Sequence, residues 1–140
     1  MKKKWIFITL MILTITTFAL AQEGFNFPGY QCQQLLFRDS SRQLTNMTNI
    51  VRSVYLVMST DGFLLNIFFN NGSLPLVFYF YDVQRMSDGS TFFNDVWQAD
   101  PETMQTVAEG FVGGLKREGS KMFIVVNRGT VNYLNLTIGG

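Results

Sequence analysis

The spacing of apolar positions changes period along this chain, and each change marks a different element. From Val51 to Val83 the apolar and aromatic residues come in three short blocks, VRSVYLVMS, FLLNIFF and LPLVFYFYDV. Thr60-Asp61-Gly62 separates the first two, and Asn70-Asn71-Gly72-Ser73 the last two. Asp-Gly and Asn-Gly between β-branched and aromatic runs are hairpin signals, because glycine takes the positive φ that a tight turn needs. The blocks predict a three-stranded meander. KMFIVVNRGTVNYLNLTI, from Lys121 to Ile138, predicts a second hairpin about Arg128-Gly129. In its last strand Leu134, Leu136 and Ile138 share one face, and Tyr133, Asn135 and Thr137 the other.

Two other stretches show spacings of three and four. Leu36, Leu44, Met47 and Val51, with Leu35 and Ile50, predict a helix over 30–50, interrupted at Arg38–Ser41, where Ser40 or Ser41 would cap a second segment. Met104, Val107, Ala108, Phe111, Val112 and Leu115 predict a helix from Pro101 to about Arg117. Asp100 suits its N-cap and Pro101 its first position. Glu102 complements the positive end of the dipole, and Lys116 and Arg117 the negative end. Gly119 suits the position past its stop. Gly110, Gly113 and Gly114 speak against this helix, each costing about 1 kcal/mol relative to alanine. Gly110 and Gly114 share a side, which lets a neighbouring backbone come close.

Residues 85–99 read as an irregular link with a turn at Asp88-Gly89. Phe92, Phe93, Val96 and Trp97 there fall on one side of a single helical turn that would plug the core.

The resulting expectation is an α+β fold in the order α-β-β-β-α-β-β. A five-stranded antiparallel sheet, made of the meander and the C-terminal hairpin, carries both helices on one face. This order is similar in layout to profilin-like and roadblock-like domains and to small secretion chaperones, without any of their diagnostic residues.

Ahead of these elements, Lys2-Lys3-Lys4, an uncharged apolar run from Trp5 to Leu20, and Ala19-Leu20-Ala21 stand in the order of a secretory signal peptide. The expected organisation is a signal over 1–21, an extended lead-in over 22–29 punctuated by Pro28-Gly29, and one α+β domain over 30–140. The expected location is secreted or periplasmic, with membrane contact only through the signal before cleavage. About 119 residues would remain, enough to bury roughly two-thirds of the unfolded surface.

The chain has 11 basic and 10 acidic residues. Removing Lys2, Lys3 and Lys4 leaves eight basic against ten acidic, a formal charge of about −2, with no basic block for nucleic acid. Cys32 is the one cysteine, so no disulfide forms within a chain, and its candidate role is an intermolecular disulfide. Asn46, Asn71 and Asn135 begin glycosylation acceptor triplets, usable in a eukaryotic setting.

The chain contains no histidine. Histidine-based nucleophile pairs and thiolate or imidazole metal sites are therefore excluded, and no phosphate-loop pattern occurs. No cofactor, metal or catalytic residue is assigned. The remaining acid–base candidates are Asp82, Asp88, Asp95 and Asp100. Of these, Asp82 ends a strand, Asp88 fits a turn and Asp100 fits a cap.

The feature that points to function is Val77–Tyr81, apolar or aromatic on both faces. With Leu76, Phe78 and Phe80 turned inward, Val77, Tyr79 and Tyr81 form a ridge on the other face, suited to a protein partner or a second copy of the chain. The functional expectation is a non-enzymatic interaction protein using that exposed face. The alternative is a small carrier holding an apolar ligand between sheet and helices.

Overall fold

In the computed structural model, which describes residues 31–39 and 42–139, both stretches expected as helices are strands. The expected signal peptide and cleavage site, the expected lead-in, Ser40 and Ser41 lie outside the described residues. The strands are β1 (Gln31–Arg38), β2 (Leu44–Asn46), β3 (Val51–Met58), β4 (Gly62–Phe69), β5 (Leu76–Arg85), β6 (Thr91–Ala99), β7 (Thr106–Glu118), β8 (Lys121–Arg128) and β9 (Val131–Gly139). They form one antiparallel sheet in the order β2-β1-β9-β8-β7-β6-β5-β4-β3, curled into a half-barrel. Among the described residues the helical content is one 3-10 turn, Thr48–Ile50. The α+β expectation, its two helices and its likeness in layout to helix-bearing domains are thereby overturned.

The physical reason lies in β-bulges. A bulge puts an extra residue in one strand and shifts the parity of everything beyond it. In β7, Gln98 of β6 pairs with Ala108, whereas Val96 pairs with Phe111. Trp97 of β6 thus faces two residues of β7, Glu109 and Gly110. Gly110, at φ +84°, supplies the left-handed residue of this bulge. Ala108 and Phe111, three apart, consequently both turn to the core, and Gly113 and Leu115 follow at the strand period. A bulged strand has imitated the spacing of a helix. In the same way Phe93 and Val96 of β6 both face inward. Asp82 stands nearby in β5 at φ +62°, its carbonyl accepting from Asn94 Nδ2 at 3.3 Å. In β1 the register shifts between Cys32 and Gln34, after which Leu35 and Phe37 alternate into the core.

The meander is present as β3-β4-β5 and the C-terminal hairpin as β8-β9. The link over 85–99 is instead the end of β5, a turn and the interior strand β6, which joins them through the middle strand β7.

The concave face is filled by side chains. Phe63, Phe80, Val96, Leu65, Ile67, Ile124 and Leu134 are fully enclosed. Phe63 and Phe80 stack at 4.2 Å, and Phe93 meets both edge-on. Curvature brings distant strands together, so that Phe37 of β1 lies 6.2 Å from Phe78 of β5 across four intervening strands. The seam between the sheet edges is bridged by the 3-10 turn. Leu35 N donates to Thr48 Oγ1 (3.0 Å), Met47 N to the Leu35 carbonyl (2.8 Å), and Asn70 N to the Ile50 carbonyl (2.8 Å).

A second, smaller apolar cluster lies on the convex face and comprises Leu64, Val77, Tyr79, Trp97, Ala99 and Met104. The turn after β6 carries Met104 onto it. Asp100 Oδ1 accepts from the backbone N–H groups of Glu102 (2.8 Å) and Thr103 (3.0 Å), and Met104 takes φ +61°. Asp100 therefore caps a turn with the hydrogen bonds expected of it at a helix start.

Candidate binding site at the barrel mouth

The last residues of β1 and β8 are both arginine, and both arrive at the same end of the half-barrel. Arg38 closes β1, beside β9, and Arg128 closes β8, on the other side of β9. Tyr133 of β9 stands between them. The Arg38 guanidinium carbon lies 5.9 Å from the centre of the Tyr133 ring, and that of Arg128 lies 5.4 Å from it. Arg128 also sits over Phe111 at 4.3 Å, and Phe111 meets Tyr133 edge-to-face at 5.0 Å. A cation over an aromatic face is attracted by the ring quadrupole, so the rings help to hold both guanidinium groups in place.

Backbone carbonyls complete the support. Arg38 Nε donates to the Asn132 carbonyl (2.9 Å) and Nη1 to the Arg42 carbonyl (2.7 Å). Arg128 Nη2 donates to the carbonyl of Glu109, presented by the β7 bulge. Gly110 adjoins the side chain, with Arg128 Nε 3.8 Å from the place a Cβ would take. The bulge that disguised β7 as a helix thus also positions Arg128. Asp39, next to Arg38 in the chain, is the acidic side chain that lines the same cleft as both arginines.

These groups line a cleft of about 380 Å³, completed by Phe37, Asp39, Gln98 and Ala108. It falls within the size range of small-ligand pockets, near the lower end. Its lining combines three aromatic rings and Ala108 with four polar or charged side chains. A second cleft of about 160 Å³ lies at the opposite end, between Met58, Val83, Phe93 and Leu115.

The residues singled out from the sequence fall elsewhere. Val77 and Tyr79 are 2% and 5% exposed, beneath the convex cluster, and Tyr81 is half-buried beside them. Tyr79 stacks on Trp97 at 5.3 Å, and burial pushes its phenol upward. The three residues do share one face, as strand period requires, but that face is covered at Val77 and Tyr79. Cys32 is half-buried against the core, and desolvation raises its thiol above the ordinary range, which disfavours the thiolate. Asn46 is exposed at the end of β2 and Asn71 is exposed in a turn, whereas Asn135 is half-buried, with its Nδ2 donating to Asn132 Oδ1 at 2.6 Å.

Of the acidic candidates, Asp95 of β6 pairs with Tyr81 of β5, which sets it one register position from Asp82. Asp88 and Asp100 sit in turns at opposite ends of β6, about 30 Å apart along a nine-residue strand. Each carboxyl is lowered by turn hydrogen bonds, Asp88 by Ser90 and Asp100 by Thr103 and Glu102. Among the described residues no group of three His, Cys, Asp or Glu side chains is placed to hold a metal ion. Likewise no helix there is long and apolar enough to cross a membrane.

Compared with family models, curated proteins and solved structures, the chain matches none.

Arg38, Arg128, Phe111 and Tyr133 were missed by sequence reasoning. Arg38 lay in a stretch read as a helix break, Arg128 in a hairpin turn and Phe111 in a helix face. Their convergence depends on β9 lying between β1 and β8, a pairing that joins residues about a hundred positions apart.

Proposed function

We propose that this chain is an exported, non-enzymatic binding protein whose working surface is the arginine–aromatic mouth, where it takes an anionic group. The observation that carries this reading is the pair of guanidinium groups bracketing Tyr133. Both are held by rings and backbone carbonyls, and the cleft they line sets two guanidinium groups against one carboxylate, Asp39. Guanidinium groups in excess have charge to offer an oxyanion, and their prior fixation lowers the ordering cost of binding. The signal-like leader supports export to a secreted or periplasmic location.

The interaction reading therefore moves from the Tyr79 ridge, whose centre is covered, to the mouth. An apolar cargo inside the half-barrel has less support, because the phenylalanines of the core occupy that space.

The test is a titration of isotope-labelled protein with acetate and with inorganic phosphate at constant ionic strength, following the backbone N–H resonances of Phe111 and Tyr133, which line the same cleft. Saturable shifts there, lost when Arg38 and Arg128 are both changed to glutamine, are expected. Shifts that grow linearly with concentration and are equal in parent and variant would refute an anion site at the mouth.

A further inference from the structure

We infer that the mouth is shaped for a monocarboxylate carrying a flat apolar body, of the size of an arylalkanoic acid. The carboxylate would be shared between Arg38 and Arg128, and the body would lie against Tyr133 and Phe111. This inference rests on the anion-binding reading of the mouth and narrows its ligand class.

Charge comes first. The cleft lining holds Arg38 and Arg128 against Asp39, a formal balance of one positive charge. A monoanion brings that lining to neutrality. A phosphate dianion would overshoot it and meet the Asp39 carboxylate on the rim. Such like-charge approach is costly in a partly desolvated cleft.

Donor geometry agrees. Arg38 engages Nε and Nη1, and Arg128 engages Nη2, with backbone oxygens. Arg38 Nη2 and the Nε and Nη1 of Arg128 take no part in these bonds. Two forks on either side of one ring can each present an N–H to one carboxylate oxygen, an arrangement with direction as well as charge.

The lining decides the rest of the ligand. Phe37, Ala108, Phe111 and Tyr133 make the cleft mostly apolar, and Gln98 adds one amide. A bare carboxylate would leave those walls wetted, whereas a ring would displace that water and contribute by burial. With Phe111 and Arg128 already stacked at 4.3 Å, an incoming ring finds its neighbours in fixed positions.

The experiment is calorimetric titration of the full exported chain with four probes, namely phenylacetate, acetate, 2-phenylethanol and inorganic phosphate. Arg128→Gln and Arg128→Lys variants are run beside the parent, with folding checked by circular dichroism. Phenylacetate is expected to bind one-to-one, about tenfold or more tighter than acetate or 2-phenylethanol. Arg128→Gln should weaken it by about tenfold or more, and Arg128→Lys by less, since charge survives while the fork is lost. Acetate and phenylacetate binding equally, both lost in Arg128→Gln, would overturn the apolar-body inference and leave the anion-site reading standing. Phosphate binding more tightly than phenylacetate would do the same. Binding of 2-phenylethanol as tight as phenylacetate and indifferent to Arg128→Gln, or no binding by any probe, would overturn both.

Discussion

Replacing Gly113 with alanine should destabilise the protein, through an overpacking cost of about 1–3 kcal/mol that is offset in part by the unfolded chain. Gly113 lies in β7 facing the core, buried, where a Cβ would come 2.6 Å from Phe80 Cε2, 2.8 Å from Phe80 Cδ2 and 2.9 Å from Val96 Cγ2. Real Cβ contacts do not reach such distances, so something must move. Phe80 has little freedom to do so, being fully enclosed, stacked on Phe63 at 4.2 Å and edge-on to Phe93 at 5.6 Å. The backbone at Gly113 is compatible with alanine, so the variant recovers about 0.4–1 kcal/mol through the unfolded chain. The overpacking term exceeds this, leaving a net loss of about 1–2 kcal/mol. Urea unfolding should show a lower midpoint at unchanged slope, because the surface exposed on unfolding stays the same. Phe80→Leu provides the control. It removes the ring atoms that the new methyl strikes, so Gly113→Ala should cost less in its presence, with a coupling of at least about 0.5 kcal/mol. A helix over 101–117 would give the opposite sign, with alanine stabilising by about 1 kcal/mol. A neutral or stabilising Gly113→Ala would therefore refute the packing of Phe80 across β7.

Asp100→Ala should lower the melting temperature at neutral pH, since it removes the hydrogen bonds that fold the 100–105 turn over Trp97 and Tyr79. The folded carboxyl is held below its ordinary value, so its contribution is present above the unfolded carboxylate range and is lost as pH falls through the folded value. Melts of parent and variant should converge in acid, and a gap that persists to the lowest pH would contradict this role. Changing Tyr79 and Tyr81 together to serine should cost several kcal/mol of monomer stability, because one ring is buried against Trp97. Sedimentation of the variant should match that of the parent, and a stable variant that has lost a dimer would restore the exposed-ridge reading. Cys32→Ser should fold, and the native thiol should react slowly with iodoacetamide at neutral pH, since burial disfavours the thiolate. Intact-mass measurement of exported protein should give a chain beginning at Gln22, and a mass retaining Met1–Ala21 would exclude cleavage there.

The chain's local chemistry was legible without coordinates. Asn71-Gly72 and Arg128-Gly129 specify turns because glycine lowers the cost of a positive φ, a property of one residue and its neighbours, whereas Gly62 starts β4 without a positive φ and is needed because the Phe80 carbonyl fills the place of a Cβ. The inward set Leu76, Phe78 and Phe80 followed from the strand period, and Asp100 was recognisable as a cap although the element it caps is a turn. The tertiary structure decided what depends on parity and pairing. Ala108 and Phe111 sit three apart in both a helix and a bulged strand, and only the partner strands β6 and β8 select between them. The glycines at 110, 113 and 114 already opposed a helix, yet the reason for Gly113, the ring of Phe80 lying across it, belongs to a strand thirty-three residues earlier. Likewise nothing local shows that Tyr79 is covered by Trp97 and Met104, or that Arg38 and Arg128 meet at Tyr133. Those contacts exist because the sheet places β9 between β1 and β8 and curls until its faces close on themselves. Periodicity reports which residues share a face, whereas what that face meets is set by strand order and curvature, which are properties of the whole sheet.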